Sequence, residues 1–141
     1  MRVVLVLLIL IAFAPLPAQA QNFQLPIDCA VGTTCIVQNY ADADRAEGAA
    51  DDPMCGPLTY DNHDGLDFRA PAALVQRGVA VLAPADGVVL GARDGEADGA
   101  FLRGGEAALN GRDCGNGVRI DHGGGWVSQL CHMRNGSVRV H

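Results

Sequence analysis

Apolar positions along this chain change period three times. Val3 to Ala14 is an unbroken apolar run, preceded by Arg2 and followed by Pro15, Pro17 and the sequence Ala18-Gln19-Ala20. A short positive start, an apolar middle and a small-x-small end are the layout of a secretory signal peptide. The run is too short to span a bilayer comfortably, which takes about 20 residues. We therefore expect cleavage after Ala20, and no lipoprotein anchor, because no cysteine stands at the cleavage point.

Residues 21–58 show no apolar period. The stretch "YADADRAEGAADDP", Tyr40 to Pro53, is acidic and alanine-rich and reads as a solvated connector. From Gly78 the pattern becomes β-like. "GVAVLAPADGVVLGARDG" holds two β-branched runs, Val79 to Ala83 and Val88 to Ala92, around a Pro84–Gly87 turn. Residues 94–115 are rich in Gly and Asp and read as a long loop. "NGVRIDHGGGWVSQLCHM" then reads as a β-hairpin turning at Gly123 to Gly125. Alternation puts Trp126, Ser128, Leu130 and His132 on one face, and Val127, Gln129, Cys131 and Met133 on the other. His122, next to the turn, is expected to be exposed. No segment after the apolar run sustains a helical period. The expected fold is a mainly β domain of short antiparallel strands with long loops and few helices. The chain stops at His141 in what reads as the start of another strand or turn, so we expect the domain to continue.

Composition narrows the chemistry. The formal charge is −6, and loss of Arg2 with the leader would make it −7. An acidic surface argues against nucleic-acid binding through phosphate neutralisation. Every basic residue is Arg, so Schiff-base and lysine-tethered carrier chemistry are excluded. Five cysteines, at 29, 35, 55, 114 and 131, lie in the exported part. Export makes disulfides the default, and without paired C-x-x-C a cysteine-built metal site is not expected. Cys29 with Cys35, and Cys114 with Cys131 across the hairpin, are the expected pairs. The odd number leaves Cys55 unassigned.

The densest polar chemistry lies in "TYDNHDGLDFRAP", Thr59 to Pro71. Imidazole and carboxylate are zinc ligands. His63 and Asp67 would sit about 13 Å apart on a straight strand. They converge only if the chain bends between them, and Gly65 permits the bend. Asp61 and Asp64 are candidate acceptors orienting the imidazole. On spacing alone the same residues also read as a polar turn with a solvated histidine. A calcium loop is disfavoured by the order of His63 and Gly65. His132, at a strand end, is either a general acid/base or metal ligand, or a partly buried histidine bonded to backbone.

Taken together, three blocks resemble the lysostaphin/LytM-type zinc metallopeptidases, peptidase family M twenty-three. The family's H-x-G-x-D is matched by "HDGLD", His63 to Asp67. Its G-V-x-V-x-A hairpin is matched by "GVAVLAPADGVV", Gly78 to Val89. Its G-N-x-V-x-I and x-H-x-x-G strands, with Y-x-H-L/M, are matched by "GNGVRIDHGGGWVSQLCHM", Gly115 to Met133.

The resemblance implies a LytM-like, barrel-sandwich-type sheet with a groove over 59–141, after a leader (1–20) and an irregular segment (21–58). It implies Zn²⁺ as cofactor, His63 and Asp67 as two of its three protein ligands, and His132 as a catalytic histidine. It implies peptide cross-links of peptidoglycan as substrate, periplasmic or extracellular location, and neither nucleic-acid nor, after leader cleavage, membrane partners. The family's third ligand and other catalytic histidine lie in an H-x-H motif beyond the position of His132, and "RVH" at 139–141 is not that motif. Leu130 stands where the family usually has Tyr, so no hydroxyl reaches the cleft from there. The competing readings are a degenerate LytM-like domain that binds cell wall or activates another hydrolase, and a small structural β-domain, since "APADGVV" also resembles lipoyl-type hairpins. Zinc held by His63, Asp67 and His132 alone is a further local alternative.

Overall fold

A computed structural model describes residues 21–140; the predicted leader and His141 lie outside the described residues. Five short strands and two short helices follow in chain order: β1 (Ile36–Asn39), β2 (Asp67–Arg69), α1 (Ala72–Arg77), β3 (Val88–Arg93), α2 (Ala100–Leu109), β4 (Asn116–Asp121) and β5 (Val127–Met133). The strands form two antiparallel sheets, β1-β2 and β3-β4-β5. The mainly β expectation holds at this level. No helix of the described residues is long and apolar enough to cross a membrane.

β4 is the centre of the larger sheet. Val118 and Ile120 point into the core and are buried, while Arg119 between them is exposed, which is the predicted alternation. Cys35 joins them, and Pro84 is buried at the turn before β3. The buried polar residues are Asp42, Asp52, His63, Asn116 and His122, so hydrogen bonding carries much of the interior. Asn116 shows how this works: its amide donates to Glu96 O at 2.9 Å and Met133 O at 3.1 Å, and its oxygen accepts the Glu96 N–H at 2.8 Å. No buried side-chain polar atom of the described residues lacks a partner.

Both expected disulfides form. Cys29–Cys35 closes a small loop and Cys114–Cys131 crosses the hairpin, with Cα atoms 6.0 and 4.7 Å apart. Cys55 is free and exposed. Two disulfides suit an oxidising, exported environment.

Several local expectations fail for physical reasons. Residues 94–115 are not all loop: Ala100–Leu109 is helical, but Gly104 and Gly105 leave helical angles and break it into two turns. That break removes the sustained period that would have revealed it. α1 starts after Pro71, stops at Gly78, and has its C-terminal carbonyls, on Val75 and Gln76, capped by the Arg134 guanidinium. Val79–Ala83 does not pair with β3. Its backbone is engaged by the N-terminal segment instead: Asp28 N–H donates to Ala80 O, Leu82 N–H donates to Pro26 O, and Ile27 bridges Val81. The partner is distant in sequence and so invisible to local pattern. Residues 21–58 are likewise not wholly irregular, because β1 pairs with β2.

The acidic stretch read as a solvated connector is the largest departure. Asp42 is 2% exposed. Its carboxylate accepts the N–H groups of Asp44 (3.1 Å), Asp51 (3.2 Å) and Asn62 (3.0 Å). Asp52, also buried, accepts from Met54, Gly56 and Leu58. Burial alone would raise the Asp52 carboxyl's pKa, but those three N–H groups outweigh it and hold the value below the ordinary carboxylate range. These aspartates replace a sheet ladder as the organisers of the loop.

Candidate metal site

His63 and Asp67 meet, across the bend that Gly65 permits. Gly65 lies between them, Asp67 opens β2, and His63 Nε2 stands 3.4 Å from Asp67 Oδ1. His63 is 8% exposed and Asp67 is partly exposed, so the pair sits at the rim of the buried loop. His63 Nδ1 lies 2.7 Å from Tyr40 O. A carbonyl accepts only, so Nδ1 carries the proton and Nε2 is turned toward Asp67. Asn39, at the end of β1, donates its amide to Asp67 Oδ2 at 2.9 Å, leaving Oδ1 for the shared space.

The expected orienting acceptors are not the observed ones. Asp61 accepts the Gly48 N–H at 3.1 Å, and Asp64 is exposed; the imidazole is oriented by the Tyr40 carbonyl. Asp42 fixes the backbone around it twice: its carboxylate takes the Asn62 N–H, and its own N–H donates to His63 O at 2.6 Å. Tyr60 stacks on the imidazole with ring centroids 4.4 Å apart. Burial first, then the negative charges of Asp67 and Asp64, push its phenol above the ordinary tyrosine value. Asp42, Asn39 and Tyr40 were not among the predicted site residues. The only sequence signal for them is proximity to a β-branched run, because a carbonyl and a distant loop contact leave no motif.

The donor set suits a divalent cation. A separation of 3.4 Å is longer than an ordinary N–H···O hydrogen bond. It is the separation of two ligand atoms bound at about 2.0–2.2 Å to one tetrahedral ion, about 3.3–3.6 Å. A histidine whose other nitrogen bonds a carbonyl, and a carboxylate whose second oxygen is held by an amide, are the usual surroundings of metal ligands. Among the described residues no group of three or more His, Cys, Asp or Glu side chains is placed to hold a metal. His132 therefore does not join His63 and Asp67, and zinc held by these three alone finds no support.

His132 is exposed, but not on the predicted face. β4 and β5 keep one register from Asp121↔Val127 to Val118↔Leu130, then shift so that Asn116 faces Met133. One extra residue on β5 makes a bulge, and His132 takes a left-handed φ of 59° within it. The alternation ends at Leu130, so the His132 ring leaves the face of Ser128 and Leu130. Cys131, disulfide-bonded to Cys114, shares the bulge with His132, and His132 N–H donates to Cys114 O at 2.9 Å. Gly117, opposite, is needed for this approach: a Cβ there would lie 2.2 Å from Leu130 O.

His122, expected to be exposed, is buried. Its Nδ1 lies 2.8 Å from Asp86 O and its Nε2 2.8 Å from Ser128 Oγ, while Phe23 packs edge-on against the ring. It ties the Pro84–Gly87 turn to β5. Trp126 is exposed and pairs edge-on with Phe23 instead of extending the Leu130 face.

A scan of protein-family models found no match, and searches of curated proteins and of solved structures found no significant one.

Proposed function

We propose that His63 and Asp67 are two of three protein ligands of a catalytic zinc in an exported endopeptidase that hydrolyses the peptide cross-links of bacterial peptidoglycan. The observation that carries this reading is the convergence of His63 Nε2 and Asp67 Oδ1 at a ligand–ligand distance, each with its other polar atom occupied. The three sequence blocks that resemble the LytM-type metallopeptidases support it. When bound, the zinc supplies Lewis acidity at the scissile carbonyl and brings the pKa of its water toward neutrality.

The remaining roles fall to the chain. His63 and Asp67 hold the ion against the buried loop, with Tyr40 and Asn39 fixing their orientation. His132, exposed and unencumbered on its bulge, exchanges a proton with the reacting amide. The resemblance also implies a third ligand and a second catalytic histidine from an H-x-H motif, roles that His63, Asp67 and His132 do not fill.

The test is hydrolysis of purified peptidoglycan by the natural exported protein. Release of soluble peptides should stop on chelation, return with zinc, and be lost in His63→Ala at unchanged circular dichroism. Cleavage indifferent to chelator and to His63→Ala contradicts the reading. Wall binding without cleavage by the zinc-loaded protein would favour the degenerate, wall-binding alternative.

A further inference from the structure

The outer face of the larger sheet carries a second, chemically different feature. Arg119 points outward between buried Val118 and Ile120. Its cross-strand neighbours are Gly91 of β3 and Gln129 of β5. Arg93 is two residues beyond Gly91 on the same face, opposite Gly117. The two arginines are thus diagonal neighbours, with backbones about 7–8 Å apart. Gly91 and Gly117 raise no side chain between them, and a 270 Å³ depression results, walled by Arg93, Arg119 and Gln129 with Cys114 at one end.

This depression is a charge outlier. The chain carries 16 acidic residues against 10 arginines, yet no carboxylate lines it. Neither arginine is in an ion pair among the described residues. Arg93 makes one long bond, Nη1 to Gly115 O at 3.5 Å. The acids close by in sequence have other partners. The Asp94 carboxylate takes the N–H groups of Gly95, Gly136 and Val138, and Asp121 takes that of Gly123. Two guanidinium forks therefore face solvent unpaired, and such forks match carboxylates in bidentate geometry.

We propose that this groove binds a side-chain or terminal carboxylate of an acidic peptide lying extended across the sheet. A peptide fits better than a small anion for two reasons. The depression spans three strands, with Gln129 able to donate to and accept from a peptide backbone. The adjoining strand β3 is an edge strand, exposed along its whole length, so a peptide crossing the face leaves the groove over that edge without meeting another strand. Because both arginines are exposed, the attraction weakens with salt. The groove and the metal pair are different residues, so this inference survives or fails independently of the zinc reading.

The experiment is a titration of the disulfide-intact protein at low ionic strength, followed by ¹H–¹⁵N spectra of the Arg93 and Arg119 Nε–H and Gln129 amide groups. The probe is the capped peptide acetyl-Ala-Glu-Ala-Glu-Ala-amide. We expect saturable shifts at these groups, affinity about fivefold weaker in Arg119→Gln, and no saturation when Arg93→Gln is added. A peptide with Gln for Glu should leave the groups unmoved, and inorganic phosphate should bind more weakly than the acidic peptide. Equal shifts with the Gln peptide, unchanged affinity in the double variant, or phosphate binding as tightly as the peptide would each overturn the proposal. Both side chains are exposed, and an amide spectrum unchanged elsewhere verifies that the variants fold.

Discussion

The two histidines on which the proposed chemistry rests are held by opposite means. His63 lies in a loop outside the strands, yet its ring is buried, bonded through Nδ1 and stacked on Tyr60. His132 lies on a strand, yet its ring is exposed and makes no hydrogen bond among the described residues; what is fixed is its backbone, by a disulfide, a bulge and one N–H bond. Fixing a ring suits a ligand, whose lone pair must point at one place. Fixing only the backbone suits a proton carrier, whose ring must move between partners. The loop achieves its rigidity through buried aspartates and the strand through covalent and register constraints, so different substitutions should break each.

The largest effect is expected at Asp42. Asp42→Ala removes an acceptor shared by three N–H groups and should cost about 4 kcal/mol in urea unfolding, because buried donors left unpaired are expensive. Asp61→Ala, at an exposed acceptor, should cost below about 0.5 kcal/mol. Equal costs would mean that Asp42 does not organise the loop.

Removing Cys114–Cys131 by paired Ser substitutions should cost about 3 kcal/mol, as expected for a separation of 17 residues. It should also broaden the amide signals of β5 around His132 while leaving the His63 ring signals unmoved. Disturbance of both histidines would collapse the distinction between the two regions.

His132→Gly should stabilise the fold by about 1 kcal/mol, since a left-handed φ of 59° strains a side chain that glycine lacks. A loss of stability would show that the ring packs in a way its exposure does not suggest.

The smallest effect concerns acid. The N–H groups of Gly136, then those of Gly95 and Val138 with the Arg139 charge, hold the Asp94 carboxyl below its ordinary value of 3.8, against a smaller opposing effect of burial. A depressed folded value means that its contribution is present above the unfolded value and is lost as pH falls through the folded one. Stability measured from pH 6 to pH 3 should therefore fall less steeply in Asp94→Asn than in the natural sequence.

The sequence was most legible where structure is local or covalent. Val118 and Ile120 alternate as a strand should, Gly123 to Gly125 turn the hairpin, and the two cysteine pairs close as expected. The convergence of His63 and Asp67 was half legible: Gly65 permits the bend, but the spacing alone fits a polar turn equally. Legibility failed where a distant segment decides. Asp42 and Asp52 sit in a stretch whose composition says solvent, and only the folded loop brings them the N–H groups that make burial affordable. His122 reads as a turn residue until Phe23 and the Asp86 carbonyl, remote in sequence, close over it. Strict alternation misplaced His132 because a bulge inserts one residue without any mark in the sequence.

The most direct test is zinc titration of the disulfide-intact chain by calorimetry, with His63→Ala, Asp67→Ala and His132→Ala beside the natural sequence. One zinc site is predicted, at least about tenfold weaker on loss of either His63 or Asp67, and changed by less than about twofold on loss of His132. Zinc binding indifferent to His63→Ala, or weakened as much by His132→Ala, would contradict the assignment of the His63–Asp67 corner as the metal-binding half of the site.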